Sequence, residues 1–199
     1  MPTWSTMFLR SDTPKRVRAV PCVAVVGASG SGKTTLLEQL VPLLHADGIR
    51  VSMIKHAHCG VQFDKPGKDS HRLKAAGTAQ VLVATAGSYA LVGDAPAPDT
   101  EPRLSWLLTR LDPSACDLVL AEGFAHEQGV PKLEVFRPEL GRSPRCWPHD
   151  PDLIAVASNA PLAVTAPVTL LDLDDPAAVA AYVRDFARRE AARALPECA

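Results

Sequence analysis

The 199-residue sequence lacks an excess of either charge: 21 lysines and arginines face 22 aspartates and glutamates. A balance this even gives no overall electrostatic reason to expect a nucleic-acid partner or an anionic membrane, so any anion must be bound locally. Long apolar runs are missing as well. The first twenty residues, MPTWSTMFLRSDTPKRVRAV, carry scattered basic groups but neither a signal-peptide core nor a membrane span. Cysteines are few and unpaired in spacing: Cys22, Cys59, Cys116, Cys146 and Cys198 are odd in number, which argues against a secreted disulfide framework and fits a reducing cytoplasm. No segment repeats along the chain.

What is present suits one medium-sized domain, with 47% apolar and 22% charged residues. Residues 21–192 are expected to form it, after a flexible leader over 1–20 and before a tail at 193–199. Apolar runs alternate with amphipathic segments, the pattern of an α/β fold with a mostly parallel central sheet and helices on both faces. The expected strands are 22–26, 50–54, a pair near 80–92, 117–121, an extended stretch 132–136, 153–157 and 168–171. Helices are expected at 33–46, 69–76, 103–111 and 176–190. Strands 22–26, 117–121 and 153–157 are almost unbroken apolar runs, which predicts burial on both faces, with ligands gathered beyond their carboxyl ends.

The stretch VAVVGASGSGKTTLLEQL, Val23 to Leu40, places six small residues between a buried strand and a helix. Glycine costs conformational entropy on folding, so such a run is retained where the backbone does something a side chain would obstruct. Gly27, Gly32, Lys33 and Thr34 match G-x-x-x-x-G-K-[ST], with a strand before and a helix after. Backbone N–H groups converging at a helix N-terminus hold phosphate there. Within the run of Gly27, Gly30 and Gly32, the small residues Ala28, Ser29 and Ser31 keep side chains out of the way, Lys33 would reach terminal phosphates, and Thr34 would offer its hydroxyl to Mg²⁺. The bland alternative is a glycine-rich turn that only caps a helix.

In DLVLAEG, Asp117 to Gly123, an acid stands at each end of a buried strand. Glu122 leaves the sheet beside the phosphate loop, placed to hold Mg²⁺ directly or through water. Asp117 belongs to the other end, where a turn explains it. A second polar cluster, KHAHCGVQFDKPGKDSHRLKAAG, runs from Lys55 to Gly77. It reads either as a solvated connection or as a preorganised basic turn, fixed by Pro66 and Gly67, that holds a second phosphate-bearing molecule, with Asp69 or Ser70 capping the next helix. His56, His58 and Cys59 make a weak metal signal, completed only if the fold brings Cys146 and His149 near. VPKLEVFRPE, Val130 to Glu139, alternates as a strand, and its charges suggest a protected sheet edge; a dimer contact or substrate-facing strand is the other reading.

Taken together, these motifs resemble the molybdopterin-guanine dinucleotide biosynthesis accessory proteins, the MobB family. The resemblance spans about Val23 to Arg137, with a weaker match over LIAVASNAP, Leu153 to Pro161. Its most specific part is KHAHCGVQFDKPGKDS, supported by LAEGFAHE and PKLEVFR. The resemblance implies a phosphate-loop NTPase-type fold and a homodimer that binds GTP with Mg²⁺ and hydrolyses it slowly. It further implies an accessory role beside a molybdenum cofactor guanylyltransferase (MobA-like) that joins GMP to molybdopterin, with molybdopterin itself a candidate ligand. By motif, Gly32, Lys33, Thr34 and Thr35 would hold phosphates and magnesium, Glu122 would be the acidic strand-end group, and Asp64, Lys65, Lys68 and Asp69 fall on the signature turn, Asp64 being a further candidate metal ligand. Cys59 and Gln62 stand where relatives commonly have a histidine and an aspartate, which weakens a metal role for that loop.

The N-K-x-D pattern that many GTPases use to read guanine is absent. Ser158 and Asn159, in a loop after strand 153–157, are expected to contact the purine, although Asn159 is equally a turn residue. No water-orienting glutamine or arginine finger stands out, so Arg72, Arg137 or a partner chain would have to donate one, and slow hydrolysis follows. Two other classes remain open: a small-molecule kinase whose Asp64–Asp69 turn orients a phosphate acceptor, and a nucleotide-driven metallochaperone using His56, His58 and Cys59.

Overall fold

The computed structural model describes residues 20–57, 65–95, 101–165 and 167–193. The leader through residue 19, His58, Cys59, Asp64 and the tail from residue 194 lie outside the described residues. In chain order the elements are β1 (Cys22–Val26), α1 (Lys33–Ala46), β2 (Val51–Lys55), α2 (Asp69–Ala75), β3 (Gln80–Ala84), β4 (Tyr89–Gly93), α3 (Leu104–Leu108), β5 (Leu118–Glu122), β6 (Lys132–Phe136), β7 (Leu153–Ser158), β8 (Thr169–Asp172) and α4 (Pro176–Arg193). The chain divides into two compact units, one of residues 55–110 and the other of the segments on either side. No break in the apolar pattern marks that division.

The larger unit is built on a six-stranded sheet in the order β2-β5-β1-β6-β7-β8. β1 pairs in parallel with β5 and β6, β6 with β7, and β7 with β8. The expected interior strands 22–26, 117–121 and 153–157 are all interior. Alternation along β1 divides two cores: Val23 and Val25 pack with Leu40 and Leu44 of α1 and Val179 and Val183 of α4, while Ala24 and Val26 pack with Cys146, Leu153 and Val156. The sheet is thus mostly parallel and packed against helices, as the sequence predicts, but the expected placement of helices on both faces is not what the larger unit shows. Within this unit both long helices lie over the same face. The other face is closed by coil carrying Trp147, Leu162 and Val164, because Pro138, Pro144, Pro148 and Pro151 leave little chance of a helix between β6 and β7.

Helix α1 contains a proline, Pro42, in its interior. The missing bond and ring clash cost about 3 kcal/mol. Burial of Leu36, Leu37, Leu40 and Leu44 returns about 1.5–3 kcal/mol each, so tertiary packing outweighs the local penalty.

Strand β6 corrects the edge reading of its charges. It lies between β1 and β7, with Lys132 1% and Glu134 0% exposed. Two buried charges survive there because both are answered. Lys132 Nζ donates to Asp150 at 2.7 Å and lies 3.8 Å from Asp152. Glu134 accepts the backbone N–H groups of Arg145, Cys146 (3.1 Å) and Trp147 (2.8 Å). Burial alone would raise the Asp150 carboxyl, but the Lys132 ammonium and the Asp152 N–H outweigh it and hold that carboxyl below its ordinary value. Burial pushes the Cys22 and Cys146 thiols up to about 12, so both stay protonated and unreactive.

The smaller unit holds α2, the antiparallel β3–β4 hairpin and α3. α2 begins one residue earlier in its capping than expected. Lys68 occupies the cap position with no side-chain hydrogen bond, and Asp69 is the first helical residue, so neither Asp69 nor Ser70 caps it. α3 is shorter than the expected 103–111. Thr109 turns its hydroxyl back to the Trp106 carbonyl at 2.7 Å and the Arg110 N–H bonds Leu107 three residues back, which tightens the chain out of α geometry.

Candidate functional site

Strand β1 delivers the chain to Gly27, where φ is 139°. A Cβ there would stand 2.3 Å from the Val135 carbonyl oxygen, so no other residue fits between the loop and β6. Gly30 and Gly32 have φ of 78° and 96°, the left-handed region that side chains resist. The Ser31 N–H bonds the Ala28 carbonyl at 3.2 Å, and the first bond of α1 runs from Leu36 N–H to the Gly32 carbonyl at 2.8 Å. Gly32 caps α1 without a side-chain bond, and the first turn carries no acid. The positive end of the helix dipole is therefore not neutralised by its own sequence, and the arrangement is receptive to an anion.

The side chains chosen from the motif converge on this loop. Lys33 Nζ donates to the carbonyls of Gly27 (3.1 Å) and Ala28 (2.8 Å), folding its charge over the loop. Thr34 donates its hydroxyl to Glu122 Oε1 at 2.7 Å. Glu122 is the last residue of β5 and pairs in register with Val25, one residue before β1 ends. It is 8% exposed. A hydroxyl and a carboxylate this close are both hard oxygen donors, which is the ligand chemistry Mg²⁺ accepts. Asp117 sits at the opposite end of the strand and forms a surface pair with Arg50 at 2.9 Å, as its turn reading predicts.

Two arginines also grip the loop. Arg137 Nε donates to the Ser31 carbonyl at 3.2 Å, and Arg142 to the Ser29 carbonyl at 2.9 Å. Arg137 is among the residues weighed from sequence. Arg142 carries no local signal, since it follows β6 in a coil 113 residues from Ser29. Beside the loop opens a cleft of about 370 Å³, bordered by Gly32, Thr35 and Arg137 together with residues from the start of α4.

Ser158 and Asn159 do not border that cleft. Ser158, the last residue of β7, is 4% exposed, and its hydroxyl accepts the Ala160 N–H at 3.2 Å. Asn159 donates its amide to Glu139 at 2.7 Å, and Glu139 lies 3.4 Å from Arg137. The Glu139 carboxyl is held below its ordinary value first by its own backbone N–H and then, against some desolvation, by Asn159 and Arg137.

In the smaller unit, Lys65 and Lys68 close a turn over Pro66 and Gly67, with the Lys68 N–H on the Lys65 carbonyl at 3.2 Å. Lys65, Lys68 and Asp69 are all exposed, and Asp69 lies 3.6 Å from Arg72. The His56 ring is 7% exposed and sits 2.8 Å from Glu101. Among the described residues no three His, Cys, Asp or Glu side chains gather as a metal site. No helix among them is long and apolar enough to cross a membrane.

Comparison with known proteins places this geometry among relatives. A family model described as molybdopterin guanine dinucleotide synthesis protein B (MobB) matches residues 22–159. The chain is similar to the molybdopterin-guanine dinucleotide biosynthesis adapter protein of Escherichia coli (strain K12), 42% identical over 171 residues that span 86% of this chain and 95% of that one. The adapter protein of Haemophilus influenzae is 41% identical over 168 residues, 84% and 89% of the two chains. Among solved structures, a MobB homologue from Bacillus stearothermophilus superposes with a TM-score of 0.60 at 25% identity, over 84% of this chain and 98% of that one. Bacillus subtilis MobB gives 0.60 at 26%, over 85% and 97%.

Proposed function

We propose, starting from the fact that this chain belongs to the molybdopterin guanine dinucleotide synthesis protein B family, that it acts as an adapter in molybdopterin-guanine dinucleotide biosynthesis. In this reading it binds GTP with Mg²⁺ on its phosphate loop, hydrolyses it slowly, and assists a MobA-like guanylyltransferase. The observation that carries it is the contact of Thr34 with Glu122 at 2.7 Å beside a helix start that has no side-chain cap and no acid in its first turn. Mg²⁺, held by Thr34 and Glu122, would neutralise charge on the phosphates. Lys33 exchanges two loop carbonyls for phosphate oxygens, and the loop amides orient them. The sequence offers no evident water-orienting glutamine or arginine finger, so slow turnover is expected. The described cysteines Cys22, Cys116 and Cys146 are free thiols, consistent with a cytoplasmic setting. Lys65, Lys68 and Asp69 remain the candidate contacts to molybdopterin.

The test adds the purified full chain to a guanylyltransferase with molybdopterin and GTP and measures dinucleotide formed. Faster or more complete formation that requires Mg²⁺ and an intact phosphate loop is expected. An unchanged yield at stoichiometric chain would overturn the adapter reading.

A homodimer fits the β3–β4 hairpin. Leu82 and Leu91 are cross-strand partners, and Ala84 opposes Tyr89 on the same face. Leu82, Tyr89 and Leu91 are 62%, 72% and 48% exposed. A two-stranded sheet is marginal by itself, and an apolar face of this kind marks an interface; a second copy supplies the matching surface. Light scattering of the full chain should therefore give twice the chain mass, and Leu82→Glu combined with Leu91→Glu should give a monomer. A double variant that stays dimeric removes the hairpin from the interface.

A further inference from the structure

We infer that the cleft beside the phosphate loop is a guanine-reading pocket in which the Asp174 carboxylate pairs with the donor edge of the base. The inference rests on the GTP-binding reading above and names the residue that makes the choice.

The cleft, about 370 Å³, sets the apolar side chains of Leu36, Leu173 and Pro176 among the polar side chains of Thr35, Gln39, Arg137 and Asp174. It begins where the phosphate loop ends, since Gly32 and Thr35 border it. A nucleotide with its phosphates on the amides of residues 28–34 would pass its nucleoside into this space. Apolar surface for the ring, set beside polar groups that can meet its hydrogen-bonding edge, is what a nucleobase requires.

Three aspartates, Asp172, Asp174 and Asp175, lie from the last residue of β8 to the start of α4, and the structure gives two of them local tasks. Asp172 accepts the Asp174 N–H at 2.9 Å, and its carbonyl accepts the Asp175 N–H at 3.2 Å. Asp175 caps α4 through the Ala178 N–H at 3.0 Å. The Asp174 side chain takes part in neither arrangement and makes no hydrogen bond or ion pair among the described residues. It borders the cleft instead.

A carboxylate offers two acceptors and no donor. Guanine presents N1–H and the exocyclic amine side by side, so both oxygens find a partner. Adenine presents one donor beside a ring-nitrogen acceptor, which leaves a lone pair facing the carboxylate. A site built on paired donors rejects the analogue that lacks one. The absence of N-K-x-D therefore leaves guanine recognition intact, because the acid comes from the β8–α4 turn.

The test measures equilibrium binding of GTP, ATP, XTP and inorganic tripolyphosphate, each with Mg²⁺, to the full chain and to Asp174→Asn. Xanthine carries a carbonyl where guanine carries the amine, so the asparagine amide complements it. The parent should prefer GTP over ATP at least tenfold. Asp174→Asn should lose at least tenfold in GTP affinity, gain XTP, and keep tripolyphosphate binding unchanged. A parent that binds GTP and ATP equally, or a variant that keeps its GTP preference, overturns the inference while leaving the phosphate loop standing. Failure of the parent to bind GTP and tripolyphosphate alike would bring down the GTP-binding reading, and this inference with it.

Discussion

Replacing Glu134 by alanine should cost the protein about 3–5 kcal/mol of stability, a large share of the roughly 5–15 kcal/mol by which a domain is folded. The side chain is 0% exposed and accepts three consecutive backbone N–H groups, from Arg145, Cys146 and Trp147. Truncation strands all three, and each buried donor left without an acceptor costs about 1–3 kcal/mol. Glu134→Gln keeps the shape but points an amide N–H₂ at donors, so it should recover little. Glu190, on the surface of α4 beside Arg193, is the control, and its alanine variant should change stability by less than about 0.5 kcal/mol. Urea unfolding followed by far-UV circular dichroism measures all three. A loss under about 1 kcal/mol in Glu134→Ala would mean that the 145–147 segment finds other acceptors. The same variant should loosen the coil that carries Arg142 to the Ser29 carbonyl, so the buried carboxylate also supports the β1–α1 loop from a distance.

Glu134 also shows where sequence reasoning stops. The geometry of the β1–α1 loop is legible because its determinants are local: strand, small residues, Lys33 and Thr34 lie in one continuous stretch. Glu122 is legible because an apolar strand ending in an acid has one natural neighbour in a parallel sheet. The charges of β6 mislead, since Lys132 and Glu134 read as edge protection unless the groups that answer them are known. Those groups, Asp150 and the amides of residues 145–147, follow more than ten residues later in proline-rich coil with no periodicity. The base cleft was illegible for the same reason. Its walls come from the first turns of α1 and from the β8–α4 turn, more than 130 positions apart, and only the parallel order β1-β6-β7-β8 brings them together. Asp174 stands among three near-identical aspartates, and nothing but their hydrogen bonds separates the one left over from the two that build the turn.

Lys33→Ala should lower affinity for GTP with Mg²⁺ by about 100-fold while leaving the protein folded. A charge-assisted hydrogen bond contributes about 1.5–3 kcal/mol, and about 3 kcal/mol is two orders of magnitude in a dissociation constant. The lysine is half-buried and its partners are the loop carbonyls of Gly27 and Ala28, at 3.1 and 2.8 Å. Water can replace the ammonium at those oxygens, so the stability loss should stay near 1 kcal/mol, well below that of Glu134→Ala. Calorimetric titration with GTP, with and without Mg²⁺, reads the affinity, and urea unfolding reads the fold. Glu122→Gln sharpens the result: it keeps an acceptor for the Thr34 hydroxyl, now 2.7 Å from Glu122, but removes the charge that would face Mg²⁺. Its loss should therefore appear mainly when Mg²⁺ is present, whereas the Lys33 loss should appear in both conditions. If Lys33→Ala binds as the parent does, the loop is a structural turn whose lysine does no more than close it.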